Sequence, residues 1–292
     1  MPVTPPGNPE PPGNPERPEN AEQPENAGQP GTLEQPGTPG QPGTAKLPGD
    51  ATASVAFRTD QAVRHAGRRS GYVNTVLSLR VGAAVGSCAT EPGELPDDLV
   101  GDLVGRDVDA LLDHPVRAVR VAALDAYLAN LAPHSAHPGS RPVRIPAGTS
   151  LEKSMARARA VARLVPAGAR VAVIGVVNSL LVALRERGLD YAPCDLKGGR
   201  TEWGEPITTD HAAAIEGCDA VLASGMVLGN GTFDDIAERC GTRPLVVFAQ
   251  TGAAVFRELL GAEVSALSAE PYPFFWLSAE DTVLHHYAGS GA

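Results

Sequence analysis

RVAVIGVVNSLLVALRERGLDYAPCDL, residues 170–196, decides the fold. It reads as strand, turn, helix, turn, strand. Val171 to Ile174 is a short β-branched apolar run, the pattern of a strand buried on both faces. Gly175 closes it. Leu180, Leu181 and Leu184 recur at helical spacing, Arg185 to Arg187 give the helix a solvated last turn, and Gly188 stands where a C-terminal glycine is expected. Tyr191 to Leu196 resumes as a second strand. Such a unit opens a doubly wound parallel sheet, in which ligands bind outside the carboxyl ends of the strands, where helix N-termini present free N–H groups. The turn after Gly175 and the end of the second strand are therefore the expected site.

The alternation continues downstream. Residues 219–223 and 244–249 predict a third and fourth strand, and residues 264–267 a shorter fifth. Helices are expected at residues 211–216, at 233–239 with Thr232 as cap, and from the Thr251-Gly252 turn through Leu260. SGMVLGNGT, residues 224–232, reads as a loop. Strands and helices alternating at this spacing imply a parallel sheet with helices on both faces. Just upstream, TSLE at residues 149–152 is a capping box that starts a helix through Val165. Residues 133–148, PHSAHPGSRPVRIPAG, form a linker carrying His134 and His137. These histidines read as a solvated loop in preference to a metal site, because a linker supplies no rigid second shell.

Residues 52–133 read as a smaller α+β unit. A helix is expected around Phe57, Val63 and His65. YVNTVLSLR, residues 72–80, places Val73, Thr75, Leu77 and Leu79 on one side and predicts a strand, with residues 81–88, VGAAVGSC, as its antiparallel partner. The glycines of that partner weaken the strand or mark a close backbone approach. Leu99, Leu103, Val108 and Leu111 suggest one or two short helices, and Pro115 opens a long one at a favoured first-turn position. Residues 1–50 repeat short units such as GNPE, QPEN and QPGT with almost no apolar side chains. Such a segment buries too little surface to offset its conformational entropy and is expected to be a disordered tail. The organisation is thus tail 1–50, α+β domain 52–133 and α/β domain 149–292.

Composition narrows the function classes. The chain of 292 residues carries a net charge of −10, and seven Asp and Glu against two Lys and Arg within residues 1–50 account for half of it. No basic stripe supports a nucleic-acid partner. Aromatics are only 4%, so the cores rest on Ala, Val and Leu. Arg far outnumbers Lys, a usage associated with GC-rich bacterial genomes. The four cysteines, Cys88, Cys194, Cys218 and Cys240, are widely spaced, which reads as reduced cytoplasmic thiols. No apolar run reaches the roughly 18 residues of a membrane span, and the N-terminus lacks the basic and apolar regions of a secretory signal.

Several residues are candidates for chemistry. GVVNS, residues 175–179, lacks the second glycine of a dinucleotide fingerprint. Asn178 and Ser179 either present polar groups to a ligand or cap the helix. Asp195 follows Gly175 by twenty residues, the position of a ribose-binding carboxylate, or else forms the turn before KGG. Gly225, Gly229, Asn230, Gly231 and Thr232 lie on the same rim in a polar, glycine-dense stretch that suits an anion- or carboxylate-binding cleft, with Asn230 able to take left-handed dihedrals. Thr251 begins the next helix on that rim. Cys194, His211 and Cys218 are the candidate metal ligands, against the commoner reading of buried thiols. PYPFFWL, residues 271–277, covers the cleft or packs on the sheet edge.

The VIG opening at residues 173–175, SGMVLGNGTFDDI at 224–236 and DHPVRAVRVAALDAYLANL at 113–131 together resemble the heavy-metal-chelation family. The resemblance implies a Rossmann-like C-terminal domain behind an enolase-N-terminal-like domain, with a ligand cleft between them that would include Gly175, Gly229, Asn230, Gly231 and Thr232. Asp125 stands where that family commonly has Asn. The expectation is a cytoplasmic two-domain protein that binds a small anionic ligand or a metal chelate, the cofactor being a transition metal or its chelate. The alternative is a biosynthetic enzyme with a SAM- or NAD-like nucleotide at Asp195. A scaffold recruited through the tail is a third reading, and a homo-oligomer stays open.

Overall fold

The computed structural model describes residues 50–64, 71–272 and 278–289. The expected tail, apart from Asp50, lies outside the described residues, as do His65 and residues 273–277 of the aromatic run. The described residues belong to one compact unit.

Three antiparallel strands come first: β1 (Ala53–Val63), β2 (Tyr72–Val81) and β3 (Ala84–Thr90), in the order β1-β2-β3. The helix expected around Phe57 and Val63 is a strand. Phe57 pairs with Ser78 and Val63 with Tyr72, and cross-strand pairing with β2 overrides a segment whose apolar residues follow no helical stripe. Val81 belongs to β2 and pairs with Ala84, so the turn sits at Gly82-Ala83 and β3 begins later than the sequence suggested. Gly86 is the predicted close approach: a Cβ there would stand 1.9 Å from the Ala126 backbone N.

Two short helices, α1 (Leu99–Leu103) and α2 (Val108–Leu112), lead to α3 (Arg117–Leu131), which packs on β2 and β3. Pro115 does not open α3 from within. It precedes the cap residue Val116, whose N–H donates to His114 Nδ1 at 3.1 Å. Leu77, Leu79, Leu103, Leu111, Val119 and Ala122 fill the core beneath this sheet.

The linker contains a strand, β4 (Arg141–Ile145). Then come α4 (Ser150–Ala162), β5 (Val171–Ile174), α5 (Asn178–Glu186), β6 (Tyr191–Cys194), α6 (His211–Ile215) and β7 (Ala220–Ser224). The expected loop at 224–232 holds a short helix, α7 (Met226–Gly229). After it follow α8 (Phe233–Cys240), β8 (Leu245–Ala249), α9 (Ala253–Glu258), β9 (Ala266–Ala269) and β10 (Thr282–Ala288). β6 ends at Cys194 and the fifth expected strand is shifted to β9, boundary differences of the size that element ends normally show.

The large sheet has the order β4-β10-β9-β8-β7-β5-β6. β5 to β9 are parallel, but β10 runs antiparallel to both β9 and β4, so the sheet is mostly and not wholly parallel. The antiparallel edge escaped the sequence because Pro142 and the pair His285-His286 mask its pattern. Alternate residues of the parallel strands face two cores. Val171, Val173, Leu222 and Val246 meet α4 and α5, whereas Ala172, Val221, Ala223 and Val247 meet α6, α8 and α9. The capping box is present: Thr149 N–H donates to Glu152 Oε2 at 2.8 Å, and Glu152 N–H to Thr149 Oγ1 at 3.3 Å. Among the described residues no helix is long and apolar enough to cross a membrane.

Candidate functional site

The chain passes from β5 outward to β6, then returns past β5 to build β7, β8 and β9 on the other side. Connections therefore diverge between β5 and β7, and such a reversal leaves a crevice at the strands' carboxyl ends. Gly175 occupies it with φ +85°, and a Cβ there would stand 2.4 Å from Ser224 Oγ. Only glycine meets both the dihedral and the contact. Over this crevice lies a cavity of 710 Å³. Its floor is the ends of β5, β6, β7 and β8. Its other walls come from β1, β2 and the end of β3, and from α4.

Most of the sequence candidates line this cavity: Gly175, Asn178, Ser179, Cys194, Asp195, His211, Gly225, Asn230, Thr232 and Thr251. Several have structural duties there. Asp195 accepts from Val176 N–H through Oδ2 and from Lys197 N–H through Oδ1, both at 3.0 Å, so its carboxylate fastens the GVV turn to its own loop. Asn178 Oδ1 accepts from Glu202 N–H, and Ser179 Oγ pairs with Ser154 Oγ. Asn230 has φ −82°, not the left-handed conformation anticipated. Its Oδ1 accepts from the Thr232 N–H and hydroxyl, and Gly231 takes the positive φ instead.

Gly229 and Gly231 do not line the cavity. A Cβ on Gly229 would meet Ala89 O at 2.2 Å, and one on Gly231 the Arg117 guanidinium at 2.7 Å. They let α7 and the following turn press against β3 and α3. Beside them Gly252 N–H donates to Ser87 O at 2.9 Å. Asp125 accepts from Ser87 N–H at 2.9 Å and Ala254 N–H at 2.8 Å. Burial pushes its carboxyl up to about 6, against the pull of those amides and of Arg257.

The metal candidates are not gathered. His211 Nε2 pairs with Asp235. Cys218 Sγ donates to Ala214 O at 3.1 Å and does not line the cavity. Burial raises the Cys194 thiol to about 11. Among the described residues no three His, Cys, Asp or Glu side chains stand together as a metal site. The linker histidines are not freely solvated either. His134 Nδ1 shares a hydrogen bond with Tyr287 Oη at 2.7 Å, and burial lowers its pKa to about 3.

Sequence reasoning missed the polar residues of the far wall. Arg157, on α4, is 8% exposed; its Nε donates to Glu270 Oε1 at 2.8 Å and its guanidinium lies 4.8 Å from the Phe248 ring centre. Gln61, Asn74 and Gln250 join it around the cavity, with Tyr72 and Tyr272. Burial raises the Tyr72 hydroxyl to about 12, with Arg157 opposing. No motif spacing signals these residues, because they meet only through tertiary packing.

Residues 160–258, from the end of α4 through α9, match the model of the family described as "Putative heavy-metal chelation". Two solved structures of that family (DUF364), both of proteins of unknown function, share the fold. One, from Desulfitobacterium hafniense, has 14% identity and a TM-score of 0.51 over 72% of this chain and 86% of that one. The other, from Pyrococcus horikoshii, has 16% identity and a TM-score of 0.52 over 73% and 88%. No protein of curated function matches.

Proposed function

We propose, taking the match to the heavy-metal-chelation family as premise, that this chain binds a small anionic molecule or a metal chelate in the cavity above β5–β8. The observation that carries the reading is the cavity itself: 710 Å³ at the reversal of a mostly parallel sheet, the size and place of a metabolite site. In this reading β5–β9 and their helices are the Rossmann-like half, residues 52–133 the enolase-N-terminal-like half, and the cavity the cleft between them. The N-terminus of α5 supplies favourable charge for an anion, and Arg157 and Lys197, paired with Glu270 and Glu91, add N–H donors on the wall.

A bare cation fits poorly. The described residues offer no three-ligand cluster, and largely apolar walls cannot repay a cation's lost hydration. A chelate brings its own donors and asks the wall only for hydrogen bonds and apolar contact. The nucleotide-enzyme alternative has less support, since both oxygens of Asp195 already accept from backbone amides.

Isothermal titration of the full chain with nickel chloride, citrate and nickel citrate tests the proposal. Nickel citrate or citrate should bind where nickel chloride does not, and Met226→Trp, which adds bulk to the cavity wall, should weaken the signal. No heat from any of the three, together with a native mass spectrum showing no bound molecule, overturns it.

A further inference from the structure

Gln61 and Asn74 are direct partners across β1 and β2, so their side chains share one face of the small sheet, and both line the cavity. Gln250 lies two residues beyond Phe248, the ring under the Arg157 guanidinium. Tyr272 joins the two groups: it accepts from Gln61 Nε2 at 3.1 Å and lies two residues after Glu270, the partner of Arg157.

Among the described residues, each of the three amides keeps one buried polar atom without a partner: Gln61 Oε1, Asn74 Oδ1 and Gln250 Nε2. Gln61 is only 5% exposed. Buried polar atoms are nearly always paired, and isolated exceptions are scattered. The three side chains line one cavity with the unpartnered atoms tucked just beneath its surface, two acceptors and one donor that an incoming group could satisfy as the amides turn. The Arg157 guanidinium adds charged donors to the same cavity, and its side chain and that of Glu270 are 9% and 0% exposed.

We infer that the ligand's recognised head is an amino-carboxylate, an amine and a carboxylate on neighbouring carbons. The amine N–H groups donate to Gln61 and Asn74, and the carboxylate accepts from Gln250 and Arg157. A head carrying both donors and acceptors satisfies the amides whichever way each is turned. Charge points the same way. Arg157 and Glu270 cancel, so a zwitterion adds no net charge to a desolvated wall, whereas a lone carboxylate or a lone amine does. This head group names the class of small carboxylate that the cavity takes, so it sharpens the reading above and rests on it.

The test uses three probes with a common alkyl tail: L-norleucine, hexanoate and pentylamine, titrated into the full chain. Norleucine should bind at least about tenfold more tightly than either of the others, the worth of one charge-assisted hydrogen bond. Gln61→Leu and Gln250→Leu should each weaken norleucine about tenfold, with the thermal midpoint of each variant recorded alongside. Hexanoate binding as tightly as norleucine overturns the inference, independently of any variant. So does norleucine failing while nickel citrate binds, and then the cavity reading survives. If neither norleucine, citrate nor nickel citrate binds, both fall.

Discussion

Asp125 is 6% exposed, and its carboxylate receives backbone amides from both β3 and the start of α9. Desolvation outweighs those bonds, which is why its pKa rises to about 6 from 3.8. The folded state therefore holds the proton more tightly than the unfolded chain. The stability this group contributes is fully present below pH 3.8 and is lost as the pH rises through 6, a swing of about 3 kcal/mol. Asp125→Asn cannot titrate. Urea unfolding of both proteins from pH 4 to 7.5 should show the asparagine variant gaining on the wild type up to about pH 6, then a plateau; a difference independent of pH would refute the assignment. The sequence marked this position only as a departure from the family's Asn. That its partners are Ser87 and Ala254 could not be read, since they lie 38 and 129 residues away.

Among the elements, α4 was the most legible at its start and the least legible along its length. The TSLE box predicts its first turn from four adjacent residues, because capping is a local reaction between side chains and the first free N–H groups. Thr149→Ala should cost about 1 kcal/mol in urea-unfolding stability, with Thr149→Ser restoring most of it; no loss would show that packing alone holds the turn. What the helix does further on was hidden. Lys153 is fully buried, and its ammonium donates to Ser278 O at 2.7 Å and Glu280 O at 2.5 Å. Arg157 reaches the cavity wall from the next turn. Both look like solvated charges in the sequence, because nothing local foretells the carbonyls and the carboxylate that receive them. β1 is illegible for a related reason: its identity comes from the strand it pairs with, not from its own periodicity.

At the scale of the whole molecule, the parallel core and its rim could be inferred because buried strands are uniform β-branched runs and their turns carry glycine. The wall that faces the rim could not, being assembled from residues as distant as Gln61, Asn74, Arg157 and Gln250. Glycine density after β7 did signal importance, but Gly229 and Gly231 spend it on contact with Ala89 and Arg117 and not on a ligand. That contact has a kinetic corollary. Gly252 bonded to Ser87, Asp125 bonded to Ala254 and Gly229 pressed on Ala89 tie β3 and α3 to the large sheet. The two walls of the cavity cannot part like jaws without breaking the Gly252–Ser87 and Ala254–Asp125 bonds. Capture is then a single collision with a ready mould: in stopped-flow mixing, the observed rate should climb in proportion to ligand concentration and never level off, as it would if a slow opening step came first.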